Sequence, residues 1–264
     1  MFLKLDSERP IILITNDDGI DSPGLTALAR ELSQLGQIVI AAPEEQRSAI
    51  SHAITLGKPL RFFPYPSSNS YPTYSSNGTP ADCVKFAVRR LLSQKPQLVV
   101  SGINLGPNTG TNILYSGTVA GAVEGSILGI PSLAVSLDTY TDPIFSGAAE
   151  ISALIAENIL KRSLPAQIVL NLNVPNLPIE RIKGIRITTM GRTNYNDFFE
   201  DDRGGEEYYF WLKDDSSREG NTEDSDIATV ASGYASLTPL QYDLTHHQFL
   251  DDLKDWDIST NNPE

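Results

Sequence analysis

Short apolar runs recur through the first two thirds of the chain: Ile11–Thr15 (IILIT), Ile38–Ala42 (IVIAA), Leu98–Ser101, Leu133–Ser136 and Ile168–Asn173. Each has strand length and is apolar at successive positions, the pattern of a strand buried on both faces. Helical spacing fills the intervals. Leu25, Leu28, Ala29, Leu32 and Leu35 follow Pro23, a residue suited to opening a helix, and the pattern stops at Gly36. Pro80–Leu92, a segment from about Gly117 to Leu128, and Gly147–Leu160 read as further helices, and residues 53–77 as a strand excursion. Strands and helices in alternation predict βαβ units and a mostly parallel sheet. The expected fold class is α/β, doubly wound and Rossmann-like, with helices on both faces.

From about residue 178 the pattern changes. Short strands near 184–189 and 207–212 bracket an acidic stretch, Asn196–Asp226, which reads as an exposed arm because it can bury little apolar surface. Tyr234–Leu237 reads as a strand and His247–Trp256 as a short terminal helix. The expected division is an α/β catalytic core, 1–177, and a C-terminal extension, 178–264, that serves oligomerisation.

Charge follows the same division. The chain has 264 residues and a net charge of −13. Residues 1–196 carry 15 acidic and 16 basic side chains, and residues 197–264 carry 18 and 4. The acidic total excludes a basic binder of duplex nucleic acid. The nearly neutral front is free to meet an anionic substrate. No run approaches the roughly 18 uninterrupted apolar residues of a membrane span. Lys4, Asp6, Glu8 and Arg9 interrupt any leader core, so a cytoplasmic protein is expected. The single cysteine, Cys83, excludes a disulfide framework and reads as a small buried apolar residue.

In an open α/β sheet, ligands bind beyond the carboxyl ends of the strands. Three loops leaving strand ends have unusual polar content: Asn16-Asp17-Asp18-Gly19, Glu44–Ser51 and Gly102–Thr118. Two carboxylates brought close by a turn repel, and a hard divalent cation relieves that repulsion. A helix-capping turn is the other reading of Asp17-Asp18, although a cap needs only one such residue. Asn104 and Asn108 offer neutral oxygens, and Gly106 lets backbone N–H groups approach an anion. Ser116, Gly117 and Thr118 fall at a helix start, a ready phosphate cradle. In the second loop Ser48 offers a hydroxyl ligand and Arg47 a countercharge. The chain has no Walker loop and no GxGxxG, and Asp17-Asp18-Gly19 is not a D-x-D phosphatase motif. Its histidines, His52, His246 and His247, suggest neither a Ser-His-Asp triad nor a histidine-held metal.

Taken in order, these pieces resemble the SurE (survival protein E) family of metal-dependent nucleotide phosphatases. The resemblance rests on Thr15–Ile20 with Pro23-Gly24, Ala42-Pro43, Arg47-Ser48, Gly78–Val84, Val100–Asn104 and Gly106–Asn108. It continues through Tyr115–Ala120, Leu133–Leu137, Gly233-Tyr234 and Leu237–Leu240. The resemblance implies hydrolysis of nucleoside 5′-monophosphates to nucleoside and phosphate, with 3′-nucleotides and short polyphosphate as further substrates. It also implies one divalent cation per subunit, Mg²⁺ or Mn²⁺, held by Asp17, Asp18, Ser48 and Asn104. A homodimer or homotetramer with exchanged C-terminal segments is implied too. The family usually has glycine after the loop serine, whereas this chain has Ala49; if that position needs positive φ, the loop is strained or reshaped.

These readings combine into direct attack of water on a phosphate monoester. Asp17 and Asp18 are the expected catalytic carboxylates. Asn16, Gly106, Asn108, Ser116, Gly117 and Thr118 are expected to bind substrate phosphate. Two alternatives stand beside it: a non-catalytic nucleotide- or metal-binding module, and a nicotinamide-dependent oxidoreductase, which shares the fold class but lacks its glycine fingerprint.

Overall fold

A computed structural model of the chain describes residues 3, 5, 6, 8–66, 71–162, 164, 165, 167–195, 221–256 and 258. Between 198 and 217 it describes the backbone of short strands only. The described strands of the main sheet are β1 (Ile11–Thr15), β2 (Gln37–Pro43), β3 (Phe62–Pro64), β4 (Thr73–Ser76), β5 (Leu98–Leu105), β6 (Ser132–Asp138), β7 (Ile168–Pro175), β8 (Ile185–Ile187) and β9 (Ala235–Gln241). Their order across the sheet is β3-β4-β2-β1-β5-β6-β7-β9-β8. From β4 to β7 every neighbour is parallel. β3 pairs antiparallel with β4, and β9 pairs antiparallel with β7 and parallel with β8. The described helices are α1 (Pro23–Leu32), α2 (Pro80–Phe86), α3 (Gly117–Ile127), α4 (Phe145–Arg162), α5 (Asp226–Ala231) and α6 (Leu250–Lys254).

The apolar runs are buried on both faces, as their composition requires. Ile12 and Ile14 pack with Leu25, Leu28 and Leu32 of α1 and Ala148 and Ile159 of α4. Ile11 and Leu13 face the other side, with Cys83, Val84 and Ala87. Burial also pushes the Cys83 thiol far up, so it behaves as the expected small apolar residue.

Local differences from the sequence pattern have physical causes. The expected helix over 80–92 is α-helical only to Phe86 and continues as a π turn, Ala87–Leu91, in which Leu92 N–H donates to the Ala87 carbonyl. β5 runs on to Leu105, past the expected end at Ser101, across a register shift against β6 between Ser101 and Asn104. Gly102 lies inside that shift with φ +143, and a Cβ there would meet the Val135 carbonyl oxygen at 2.4 Å.

Successive parallel strands run outward from β1 through β2 to β4, and then from β5 on its other side through β6 to β7. The loops leaving β1 and β5 therefore diverge. That is the topological switch point, where α/β sheets open a crevice at the strands' carboxyl ends.

In the C-terminal part, Ala235–Gln241 (β9) is inserted between β7 and β8, and β8 forms the edge of the sheet. Of the acidic stretch Asn196–Asp226, the backbone of short strand pieces and residues 221–226 are described, and its reading as an exposed arm falls on side chains outside the described residues. Three antiparallel pairings within 194–217 share one register: Tyr195 with Ser216, Phe198 with Lys213, and Asp202 with Tyr209. No helix among the described residues is long and apolar enough to cross a membrane.

Candidate functional site

Asp17 and Asp18 follow β1 immediately, and Asn16 shapes their turn. Asn16 is fully buried, and its amide nitrogen donates to the Gly19 carbonyl at 2.8 Å. Gly19 has φ +99, a conformation that glycine adopts without steric cost. Asp17 is 4 % exposed. Its Oδ1 accepts a hydrogen bond from the Thr118 hydroxyl, and its backbone carbonyl accepts from Arg47 N–H at 2.6 Å. Asp18 Oδ2 accepts from Leu105 N–H at 3.0 Å. The pair thus reaches both the start of α3 and the end of β5.

α3 begins with Ser116 as its N-cap, whose Oγ accepts from Val119 N–H at 3.0 Å. Gly117 follows because nothing larger fits: a Cβ there would lie 2.8 Å from Asp17 Oδ2 and 2.9 Å from Asp17 Cβ. The positive end of the helix therefore sits against the Asp17 carboxylate. Burial is the largest influence on that group. With the Asp18 charge it outweighs the Thr118 hydrogen bond and lifts Asp17 to about 6. Burial also raises Asp18, opposed by the Leu105 N–H.

Asn104 closes the other side. Its amide nitrogen donates to the Gly106 carbonyl at 2.7 Å, so the side-chain oxygen is the atom left for ligation. Asn108 is buried and tightly held. Its backbone N–H donates to Asn173 Oδ1 at 2.8 Å, its carbonyl accepts from Asn171 and Asn173, and its side chain donates to Ser136 Oγ at 2.8 Å.

The Ser48 loop lies alongside. Ser48 is exposed and its Oγ accepts from Gln46 at 2.8 Å. Ala49 and Ser51 both have φ +54. Left-handed backbone costs a non-glycine residue roughly 1–2 kcal/mol, so the loop carries the strain that Ala49 implied. Arg47 is held at its guanidinium as well as at its backbone N–H. Its guanidinium donates to the Asn77 carbonyl at 3.1 Å.

This donor set suits a hard cation: two carboxylates, an amide oxygen and a hydroxyl. Asn16 Oδ1 adds a buried oxygen with no hydrogen-bond partner. Among the described residues no group of three or more His, Cys, Asp and Glu side chains could hold a metal, so any ion here relies on neutral oxygens as well. Thr118 spends its hydroxyl proton on Asp17, whereas Ser116 Oγ accepts from Val119 N–H and keeps its own proton, so the Ser116 hydroxyl and the first-turn N–H groups of α3 are the donors available to an anion.

Residues 12–197 match the family model described as Survival protein SurE. The chain belongs to the SurE family. It is 42% identical over 259 residues to a protein of Chlorobium limicola named 5′-nucleotidase SurE, covering 95% of this chain and 98% of that one. A Moorella thermoacetica protein of the same name is 47% identical over 247 residues, covering 92% and 94%. The crystal structure of the SurE protein from Aquifex aeolicus superposes with a TM-score of 0.83 at 39% identity, covering 93% of this chain and 98% of that one.

Two groups near the site escape a reading by motif. Glu124 is buried on α3, bonded to His52 and Lys85. Asp226 is fully buried and accepts from Gly110, Gly191 and Ile227 N–H at 2.8–2.9 Å, which fastens the C-terminal part to the loop before α3. A lone charge in the small, apolar α3 segment GTVAGAVEGSI was the available signal for Glu124. Asp226 is hidden in sequence by the acidic residues around it.

Proposed function

We propose that this SurE-family chain is a phosphomonoesterase that hydrolyses nucleoside 5′-monophosphates to nucleoside and inorganic phosphate. The observation that carries the reading is the buried Asp17 carboxylate, set beside Asp18 and against the start of α3. A carboxylate lifted to about 6 is suited both to ionise near neutral pH and to accept a proton.

Asp17, Asp18, Ser48 and Asn104 would hold one Mg²⁺ or Mn²⁺ per subunit. A bound divalent cation supplies positive charge that polarises a phosphoryl group and acidifies water. Asp17 orients the attacking water and takes its proton, while Thr118 keeps the carboxylate in place. The N–H groups at Ser116, Gly117 and Thr118, with Asn16, Gly106 and Asn108, hold phosphate oxygens. A bond forms between the water oxygen and phosphorus as the ester P–O bond breaks, and the nucleoside oxygen leaves with a proton. Among the described residues no activated nucleophile competes: Cys83 is buried, and His52 is bound to Glu124. Single-turnover hydrolysis of a chiral phosphate tests this step. Inversion supports direct attack by water; net retention refutes it.

The strained Ala49 favours one other reading, a nucleotide- or metal-binding module without catalysis. Phosphate release separates the two, and the same assay tests 3′-nucleotides and short polyphosphate as further substrates. The division into a core, 1–177, and an oligomerising extension, 178–264, is part of the proposal. So are cytoplasmic residence and a homodimer or homotetramer that exchanges C-terminal segments. The shared register of the pairings within 194–217 suits an arm of that kind.

A further inference from the structure

Glu124 is the sole charged residue of α3, and its side chain is 3% exposed. Lys85 of α2 places Nζ 2.7 Å from its Oε1, and His52 places Nε2 3.1 Å from its Oε2. An ionised carboxylate only accepts, so the histidine nitrogen is the donor. Burial alone would raise Glu124, but the bonds from His52 and Lys85 prevail and hold it below its ordinary value. Removing either partner would leave the buried Glu124 charge short of compensation, so His52 and Lys85 are both held to it.

His52 lies on the connection between β2 and β3 that contains Ser48. Upstream, that loop is fastened where Arg47 N–H donates to the Asp17 carbonyl. Downstream it is fastened where Ser51 N–H donates to the Tyr115 carbonyl at 2.9 Å and Ser51 Oγ to the Leu114 carbonyl at 2.8 Å. Ser48 lies between these attachments. So does Ala49, and the attachments must hold it against its left-handed strain. α3 is common to both sides of the site. Its first turn holds Asp17 through Thr118, and Glu124 further along holds the serine loop through His52.

We propose that Glu124 is a positioning residue: through His52 it clamps the strained loop so that Ser48 stays in register with Asp17, and α3 is the frame that spaces the two. The inference rests on the reading of Ser48 as a cation ligand. It explains how this chain tolerates alanine at a left-handed backbone position.

Mn²⁺ binding, read by electron paramagnetic resonance of free Mn²⁺, tests the clamp apart from turnover. Glu124→Gln and His52→Ala should each weaken Mn²⁺ by about 10–100-fold, the range for residues that orient metal ligands. Adding Ala49→Gly to His52→Ala should bring affinity back to within about 3-fold of wild type, because glycine takes the loop conformation without strain. If Glu124→Gln fails to fold, His52→Ala carries the test, since its ring is partly exposed. Wild-type Mn²⁺ affinity in a folded His52→Ala protein overturns the clamp while leaving the cation site standing. Loss without recovery by Ala49→Gly also overturns it. Wild-type protein that binds no Mn²⁺ refutes the site itself.

Discussion

The Thr118 hydroxyl donates to Asp17 Oδ1, joining the first turn of α3 to the end of β1. This bond and the bare face of Gly117 bring a buried carboxylate against a helix N-terminus, and the rest of the site is arranged around it. Gly117→Ala would place a methyl group 2.8 Å from Asp17 Oδ2. Overpacking of this kind typically costs about 1–3 kcal/mol, relieved here by displacing the carboxylate. The variant should fold, lose at least ~10-fold in kcat/KM, and show the loss mainly in kcat. Steady-state kinetics beside a thermal melt checks this; full activity would mean that Asp17 need not sit where it does.

Asp17 makes the metal-free protein pH-sensitive in a defined direction. Its folded-state value, about 6, lies above the ordinary 3.8, mainly through burial. The folded state therefore binds the proton more tightly than the unfolded chain does. That contribution to stability is fully present below about pH 4 and is lost as pH rises through about 6. Near neutrality the ionised group opposes folding by about 3 kcal/mol. Asp17→Asn should accordingly melt several degrees above the wild type at pH 8, with the gap closing toward pH 4, when both are metal-free. Melting curves across that range decide it, and a gap independent of pH would contradict the account.

Asp226 predicts a different failure. Its carboxylate takes three backbone N–H groups from separate segments. Asparagine would turn an NH₂ toward one of them, at a cost of about 1–3 kcal/mol for the buried group left unpaired. Asp226→Asn should lower the melting temperature by a few degrees. It should raise KM more than it lowers kcat, because Gly110 and the loop before α3 lose an anchor. An unchanged melt would show that the junction carries no load.

Much of this was legible in the sequence because it is local. IILIT and its companions reveal buried strands, and Asp17-Asp18 after the first of them marks a strand-end site. What was not legible depends on packing between distant segments. The β5 bulge looks like the start of a loop, since Gly102 and Asn104 are loop-forming residues that the Val135 neighbourhood holds in a strand. The bond from the Thr118 hydroxyl to Asp17 joins residues 101 apart in sequence, and no local pattern reveals it. His52 looks isolated because its partner lies 72 residues away.

If Asp17, Asp18, Ser48 and Asn104 form a cation site serving nucleotide hydrolysis, turnover must follow the cation and the Asp18 charge. Phosphate release from a nucleoside 5′-monophosphate, titrated with Mg²⁺ or Mn²⁺, for wild type and Asp18→Asn measures this. Asparagine retains an acceptor for Leu105 N–H, so the fold should persist while a ligand charge is removed. The account predicts saturable, chelator-sensitive release by the wild type and a loss of at least ~100-fold in a folded Asp18→Asn protein. Release that ignores chelator, or that survives in Asp18→Asn with unchanged metal dependence, would contradict it.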